Sequence, residues 1–254
     1  MHTVFFEPAG PDTFAATAST IGPWSTGAQH GGPPSALAAR VMEAWEPAPG
    51  QRLASVAVDI LRPVPVGKLT ARARTVRPGR RVTLVETVLE ADGQEVLHAR
   101  GWKLRVAAVP ATPAPASPPV PPAGGFEGMT WEGYGTAMEW RYVSGRGLAE
   151  PGPSAAWMRP TIPLLPGEEM SPMSRALLCG DSGSGLSAML DPREFLFINV
   201  NVNVMLQRDP QGEWLLVDAV TAIGPGGAGV AASTLSDTSG AVGQVTQALL
   251  VAPR

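Results

Sequence analysis

The sequence predicts an α+β protein of two related halves, each one helix followed by a long antiparallel sheet. Three observations carry that expectation. First, an uncharged, proline-rich stretch, Ala107–Gly125 (AAVPATPAPASPPVPPAGG), divides the 254 residues near their middle. Such a composition cannot pack as a helix or central strand and tends to extended, stiff backbone. Second, the same order of turn signals and strand-like runs recurs on either side, with Gly67 of Pro65-Val66-Gly67 and Gly212 of Pro210-Gln211-Gly212 offset by 145 positions. Third, each run of strands is preceded by one stretch of helical spacing that opens on proline. The expected units are residues 1–106, a linker at 107–125, and residues 126–254.

In the first half, Pro33 and Pro34 fit the first turn of a helix, where the missing N–H costs nothing. Leu37, Val41 and Trp45 then fall at i, i+4 and i+8, giving a helix over Pro33–Trp45. Leu61–Gly67 reads as a strand exit. Thr70–Val76 alternates, and Val82–Leu89 is β-branched and apolar. Ala91-Asp92-Gly93 is a hairpin turn, and Gln94–Val106 alternates again. In the second half, Ser171-Pro172 is a cap-and-start signal, with Met173 and Leu177 at helical spacing, for a helix near Ser171–Ala188. Phe195–Met205 reads as a strand carrying Asn199, Asn201 and Asn203 on one face. Strands follow at Trp214–Ile223, Gly229–Leu235 and Ala241–Val251, separated by turns at Gly224–Gly227 and Asp237–Gly240.

Composition removes several function classes. Hydrophobic residues make up 44% of the chain, enough for a real core, and charged residues only 16%, below the usual share of about 25%. A net charge of −3 argues against a nucleic-acid binder, which needs a basic surface. The only cysteine, Cys179, excludes an intrachain disulfide and fits a reducing cytoplasm, the expected location. No signal-peptide pattern and no apolar run of about 18 residues is present, so no membrane span is expected. The three histidines, His2, His30 and His98, are too scattered for a metal site, and no phosphate-binding glycine loop appears. Gly180-Asp181-Ser182-Gly183 imitates the nucleophile string of trypsin-like proteases, but Ser182 lacks an obvious histidine base in a disulfide-bearing context.

Several strings resemble the acyl-CoA thioesterase II family. They are Gly22-Pro23-Trp24 with Gly27-Ala28-Gln29-His30-Gly31-Gly32-Pro33-Pro34, and Leu61-Arg62-Pro63-Val64-Pro65-Val66-Gly67. Phe197-Ile198-Asn199-Val200-Asn201 with Arg208-Asp209-Pro210-Gln211-Gly212-Glu213-Trp214, and Gln247-Ala248-Leu249-Leu250-Val251, complete the set. The resemblance spans both halves in order. It implies a double hot-dog fold, two tandem hot-dog domains in which a long antiparallel sheet wraps a central helix. It implies hydrolysis of an acyl-CoA without a cofactor. Its site is an acid, a polar partner and a glutamine around one water, at positions matching Asp181, Asn199 and Gln247. Some members carry threonine where this chain has Asn199. With two hot-dogs in one chain the minimal pair is already present, and further pairing of copies through the sheets is optional.

Read without the resemblance, the same residues keep blander roles open. Asp181 can cap a turn, Gln247 can be an exposed strand residue, and the asparagines can form a solvated face. His30-Gly31-Gly32 precedes a helix, where backbone N–H groups can hold a thioester oxygen or simply make a tight turn. Arg72, Arg74, Arg77, Arg80 and Arg81 suit coenzyme A phosphates, or a charged sheet edge. An acyl-ligand binder without turnover stays open beside the hydrolase. Hydratase-type chemistry is disfavoured because it wants an Asp/His pair and the second half has no histidine.

Overall fold

The computed structural model describes residues 3–47, 49–112, 116–123 and 131–254. Among them the strands are β1 (Phe6–Gly10), β2 (Thr13–Ala16), β3 (Gln51–Ile60), β4 (Lys68–Arg77), β5 (Val82–Ala91), β6 (Gln94–Arg105), β7 (Met138–Ser144), β8 (Ser154–Pro160), β9 (Phe195–Asn199), β10 (Asn201–Leu206), β11 (Leu215–Ile223), β12 (Ala228–Asp237) and β13 (Gly240–Pro253). The helices are α1 (Gly32–Ala44), α2 (Tyr134–Ala137), α3 (Pro172–Gly180) and α4 (Gly183–Leu186).

All thirteen strands join one antiparallel sheet in the order β1-β2-β4-β5-β6-β3-β10-β13-β12-β11-β8-β7, with β9 paired to β13. Read from its two ends toward the middle, this order repeats the same connectivity, so the halves are related as the sequence repeat predicts. They meet where β3 pairs with β10, Ala57 opposite Asn203. This is a double hot-dog: each half wraps its sheet around one helix, α1 or α3. Strands β1, β2, β7 and β8 are additions to the sequence reading, β3 supplies the strand whose exit is read at Leu61–Gly67, and the single strand expected over Phe195–Met205 is two, β9 and β10.

The two helices touch each other inside the sheet. Nine of the thirteen residues of α1 are buried, from Gly32 to Ala39 and at Met42, and most of them are small. Small side chains let the backbones approach: the Ser174 hydroxyl donates to the Ala36 carbonyl at 3.1 Å. Helix α3 starts as expected, with Ser171 accepting from the Ser174 N–H at 3.1 Å and Pro172 in the first turn. One apolar cluster spans both halves, from Phe5, Leu37 and Leu97 to Met158 and Leu177. Leu37 is fully buried in it. Leu37→Ala is expected to lower stability by about 2–5 kcal/mol, read from the urea midpoint.

Of the proline-rich stretch, residues 113–115 and 124–125 lie outside the described set. The rest, 107–112 and 116–123, has no helix or strand. It is not free of the body: Val120 packs on Ala155, Trp157 and Leu216, and the Pro121 carbonyl accepts from Arg141 at 2.8 Å. Among the described residues no helix is long and apolar enough to cross a membrane.

Candidate active site

The helix expected over Ser171–Ala188 is two helices with a break between them. α3 ends at Gly180, and the Ser182 N–H bonds back to the Cys179 carbonyl, a tightened turn, before α4 begins. Asp181 caps α3 at that break. A carboxylate is electrostatically disfavoured at a helix C-terminus, and donors from three other parts of the chain surround this one. His30 Nδ1 lies 2.9 Å from Asp181 Oδ2. Asn199 Nδ2 donates to Oδ1 at 2.8 Å, and Gln247 Nε2 donates to the Asp181 carbonyl at 2.9 Å and to Oδ1 at 3.3 Å. Residues from the N-terminal loop, the end of β9 and the middle of β13 thus meet at one carboxylate that is 3% exposed.

Gln247 is itself buried, and its Oε1 accepts from the Ser184 N–H at 3.0 Å. Both ends of its amide are therefore committed, and it does not line the cavity described below. It fixes Asp181 to the start of α4.

The three asparagines do not share a face. Asn199 lies opposite Leu249, whereas Asn203 lies opposite Thr246, one residue out of step. A bulge at Val200–Asn201 absorbs the difference. The Asn201 side-chain Oδ1 accepts from the Ala248 N–H at 2.8 Å, closing the bulge, and of the three only Asn199 reaches Asp181.

His30 is clamped from its flat side as well. Its ring stacks on Tyr134 with centroids 3.9 Å apart and planes 5° from parallel. The Tyr134 hydroxyl lies 2.6 Å from the Leu178 carbonyl, to which it donates, and 2.9 Å from Ser182 Oγ. Burial pushes the Tyr134 phenol well above its ordinary value, with the Cys179 thiol and the Asp181 carboxylate adding to the rise, so it stays protonated. Tyr134 was not legible in the sequence. His30 Nδ1 also lies 3.2 Å from the Gly32 N–H. One ring nitrogen cannot donate to Asp181 and accept from Gly32 together. The bond to the carboxylate is the shorter and is charge-assisted, so Nδ1 carries the proton.

A cavity of about 350 Å³ opens beside these groups. Trp24, Trp131, Trp140, Tyr142 and Phe197 form its apolar wall; His30, Gly31, Asp181, Ser182 and Asn199 form its polar end. Gly31 brings a backbone N–H that has no hydrogen-bond partner among the described residues. Gly32 does not line the cavity. It is buried, and a Cβ there would lie 2.8 Å from the Leu178 carbonyl, so this glycine serves the contact between α1 and α3.

None of the five arginines from Arg72 to Arg81 lines the cavity. Arg72 pairs with Glu90 at 3.0 Å and Arg74 with Glu86 at 2.7 Å, across neighbouring strands. Arg62 does line it, and it has no ion-pair partner among the described residues.

The case against hydratase-type chemistry needs correcting on one point. The second half has no histidine, but the first half supplies His30 to Asp181, so an Asp/His pair is present. Cys179 offers no nucleophile: it is buried and its thiol is pushed up to about 12. A thiol reagent is expected to leave the folded protein untouched and to titrate one thiol per chain after denaturation.

Comparison with known proteins gives the following. The family described as acyl-CoA thioesterase C-terminal domain matches residues 108–251, and that described as acyl-CoA thioesterase N-terminal domain matches residues 20–104. No curated protein sequence gives a significant match. Among solved structures, a protein of Thermobifida fusca YX, described provisionally as a thioesterase II, superposes with a TM-score of 0.78 at 18% identity, over 98% of this chain and 96% of the other. A tesB protein of Mycobacterium avium subsp. paratuberculosis gives 0.72 at 17%, over 99% and 97%. An acyl-CoA thioesterase II of Mycobacterium marinum gives 0.71 at 15%, over 98% and 96%. At these identities the structural matches bear on the fold.

Proposed function

The chain belongs to the acyl-CoA thioesterase family and is a thioester hydrolase, and from that premise we propose that a water activated at Asp181 cleaves an acyl-CoA to free acid and coenzyme A. The observation that carries the reading is the convergence of His30, Asn199 and Gln247 on one buried carboxylate at the polar end of an apolar cavity. Asn199 holds Oδ1 directly, and Gln247 holds the carboxylate and the backbone beneath it. The acyl group lies along the aromatic wall, and Arg62 is placed to meet a phosphate of coenzyme A. The unpartnered Gly31 N–H, next to the N-terminus of α1, receives the developing oxyanion.

A covalent acyl-enzyme has no support. Ser182 Oγ faces the Tyr134 hydroxyl rather than a base, and Cys179 is buried as a thiol. Water is then the nucleophile that remains. The same reading takes residues 1–106 and 126–254 as two hot-dog domains joined by 107–125, with the site shared between them.

The test is release of free thiol from acyl-CoA substrates of graded length and shape. Stoichiometric coenzyme A and carboxylic acid are expected. Saturable acyl-CoA binding without thiol release would favour the non-catalytic acyl-binding reading. Because of the His30–Asp181 pair, an enoyl-CoA should be included; its conversion to hydroxyacyl-CoA without thiol release would mark a hydratase.

A further inference from the structure

We propose that His30 is a catalytic residue: its Nε2 takes the proton from the attacking water, and Asp181 acts through it. This rests on the hydrolytic reading above and specifies which atom does the proton chemistry.

The first ground is the occupancy of the carboxylate. Oδ2 is engaged by His30 Nδ1 at 2.9 Å, Oδ1 by Asn199 Nδ2 at 2.8 Å, and the residue is 3% exposed. A water bound directly to Asp181 would compete with these donors. The second ground is the imidazole. His30 lines the same cavity, its side chain is 12% exposed, and Nε2 has no hydrogen-bond partner among the described residues. With the proton on Nδ1 and directed to Asp181, Nε2 carries a lone pair. The third ground is rigidity. Tyr134 stacks on the ring face at 3.9 Å, and its own hydroxyl is fixed by the Leu178 carbonyl and Ser182. The ring is therefore held by edge and face, as a base must be for its geometry to count.

The step balances without a further reactant. The water oxygen bonds to the thioester carbonyl carbon as its proton passes to Nε2, and the carbonyl electron pair moves to oxygen. When the tetrahedral intermediate collapses, the carbon–sulfur bond breaks and the imidazolium proton passes to sulfur. The products are a carboxylic acid and the coenzyme A thiol, and His30 is neutral again. Asp181 takes no proton in either step; it fixes the tautomer and stabilises the imidazolium.

The groups facing His30 are Asp181 from the end of α3 and Tyr134 from α2, with Arg62 and Tyr142 on the cavity wall. Burial raises both the Tyr134 and the Tyr142 phenol, the latter to about 12, so neither adds a limb of its own to a rate profile near neutrality.

The experiment is kcat/KM for acyl-CoA hydrolysis against pH in wild type, His30→Gln and Asp181→Asn, with circular dichroism to confirm folding. Wild type is expected to show a one-proton limb on the acid side. His30→Gln is expected to lose about 100-fold or more in kcat, the scale of general-base loss, and to lose that limb, with KM little changed. In His30→Ala, added imidazole is expected to restore turnover saturably. A merely structural role for His30 would give neither the lost limb nor the rescue.

If Asp181→Asn is inactive while His30→Gln keeps the wild-type rate and limb, hydrolysis at Asp181 stands and the role of His30 is overturned. A wild-type profile with no acid limb overturns it without any variant. If wild type releases no thiol from any acyl-CoA, both readings fall.

Discussion

Asp181→Asn lowers acyl-CoA turnover by about 100-fold or more with KM little changed, the usual scale when a general base is lost. The substitution keeps shape and volume but replaces one acceptor oxygen with a donor. If the new amide nitrogen faces Asn199 and Gln247, donors meet donors in a buried place, at a cost of about 1–3 kcal/mol for the unmet group. If it faces His30, the ring must present Nδ1 as acceptor and carry its proton on Nε2, and the base is gone. Neither orientation leaves a working site. Free-thiol detection over several acyl chain lengths checks this, with Ser182→Ala as the contrast. That variant loses a hydrogen bond to Tyr134 but no proton acceptor, and is expected to keep most of its activity. An Asp181→Asn protein with wild-type kcat would sink the reading.

What the sequence made legible follows from where its periodicity is clean. The sequence places β4, β5, β6, β11, β12 and β13 to within two residues at their ends, a normal margin for boundaries; β5 is legible as a β-branched apolar run, since its buried Val85, Glu86 and Thr87 follow one another without a period of two. β8 was not read, because its first five residues, Ser154 to Met158, are all buried and show no period of two. β7 and α2 sit in a stretch with no consistent spacing, and Tyr134 was lost with them. The bulge at Val200 was equally invisible: alternation tells which residues share a face only while the register holds, and a one-residue slip changes that.

Gln247 did carry a signal. It lies on β13 between Val245 and Leu249, both buried, so a glutamine stands at an inward-facing position where a polar group needs partners. The His30–Asp181 contact carried none. It joins residues 151 positions apart, one from each half. Judging each half for a complete set of groups fails when the site is assembled between them.

Gly31→Ala is the second large effect expected, and it keeps every hydrogen-bonding group of the site, the Gly31 N–H included. The backbone at Gly31 is ordinary, with φ −65° and ψ −23°, so alanine meets no conformational obstacle. The obstacle is space: its Cβ would lie 2.8 Å from Asp181 Oδ2, 3.0 Å from Oδ1 and 3.1 Å from Ile60 Cδ1. The carboxylate must retreat, yet its partners on His30, Asn199 and Gln247 are fixed by separate elements. It moves off at least one of them. A misplacement of about 1 Å in a catalytic group costs on the order of 100-fold in rate, whereas one crowded methyl costs about 1–3 kcal/mol of stability. Gly31→Ala is therefore expected to remain folded with kcat near that of Asp181→Asn. Gly32→Ala, one residue on, presses hardest on the Leu178 carbonyl at 2.8 Å and less on His30 Nδ1 at 3.3 Å, and is expected to show its main effect as a lowered melting temperature with a smaller loss of kcat. Measuring kcat and Tm for both separates carboxylate placement from helix packing. If Gly31→Ala turned over normally, the position of Asp181 against His30 would not be what the reaction depends on.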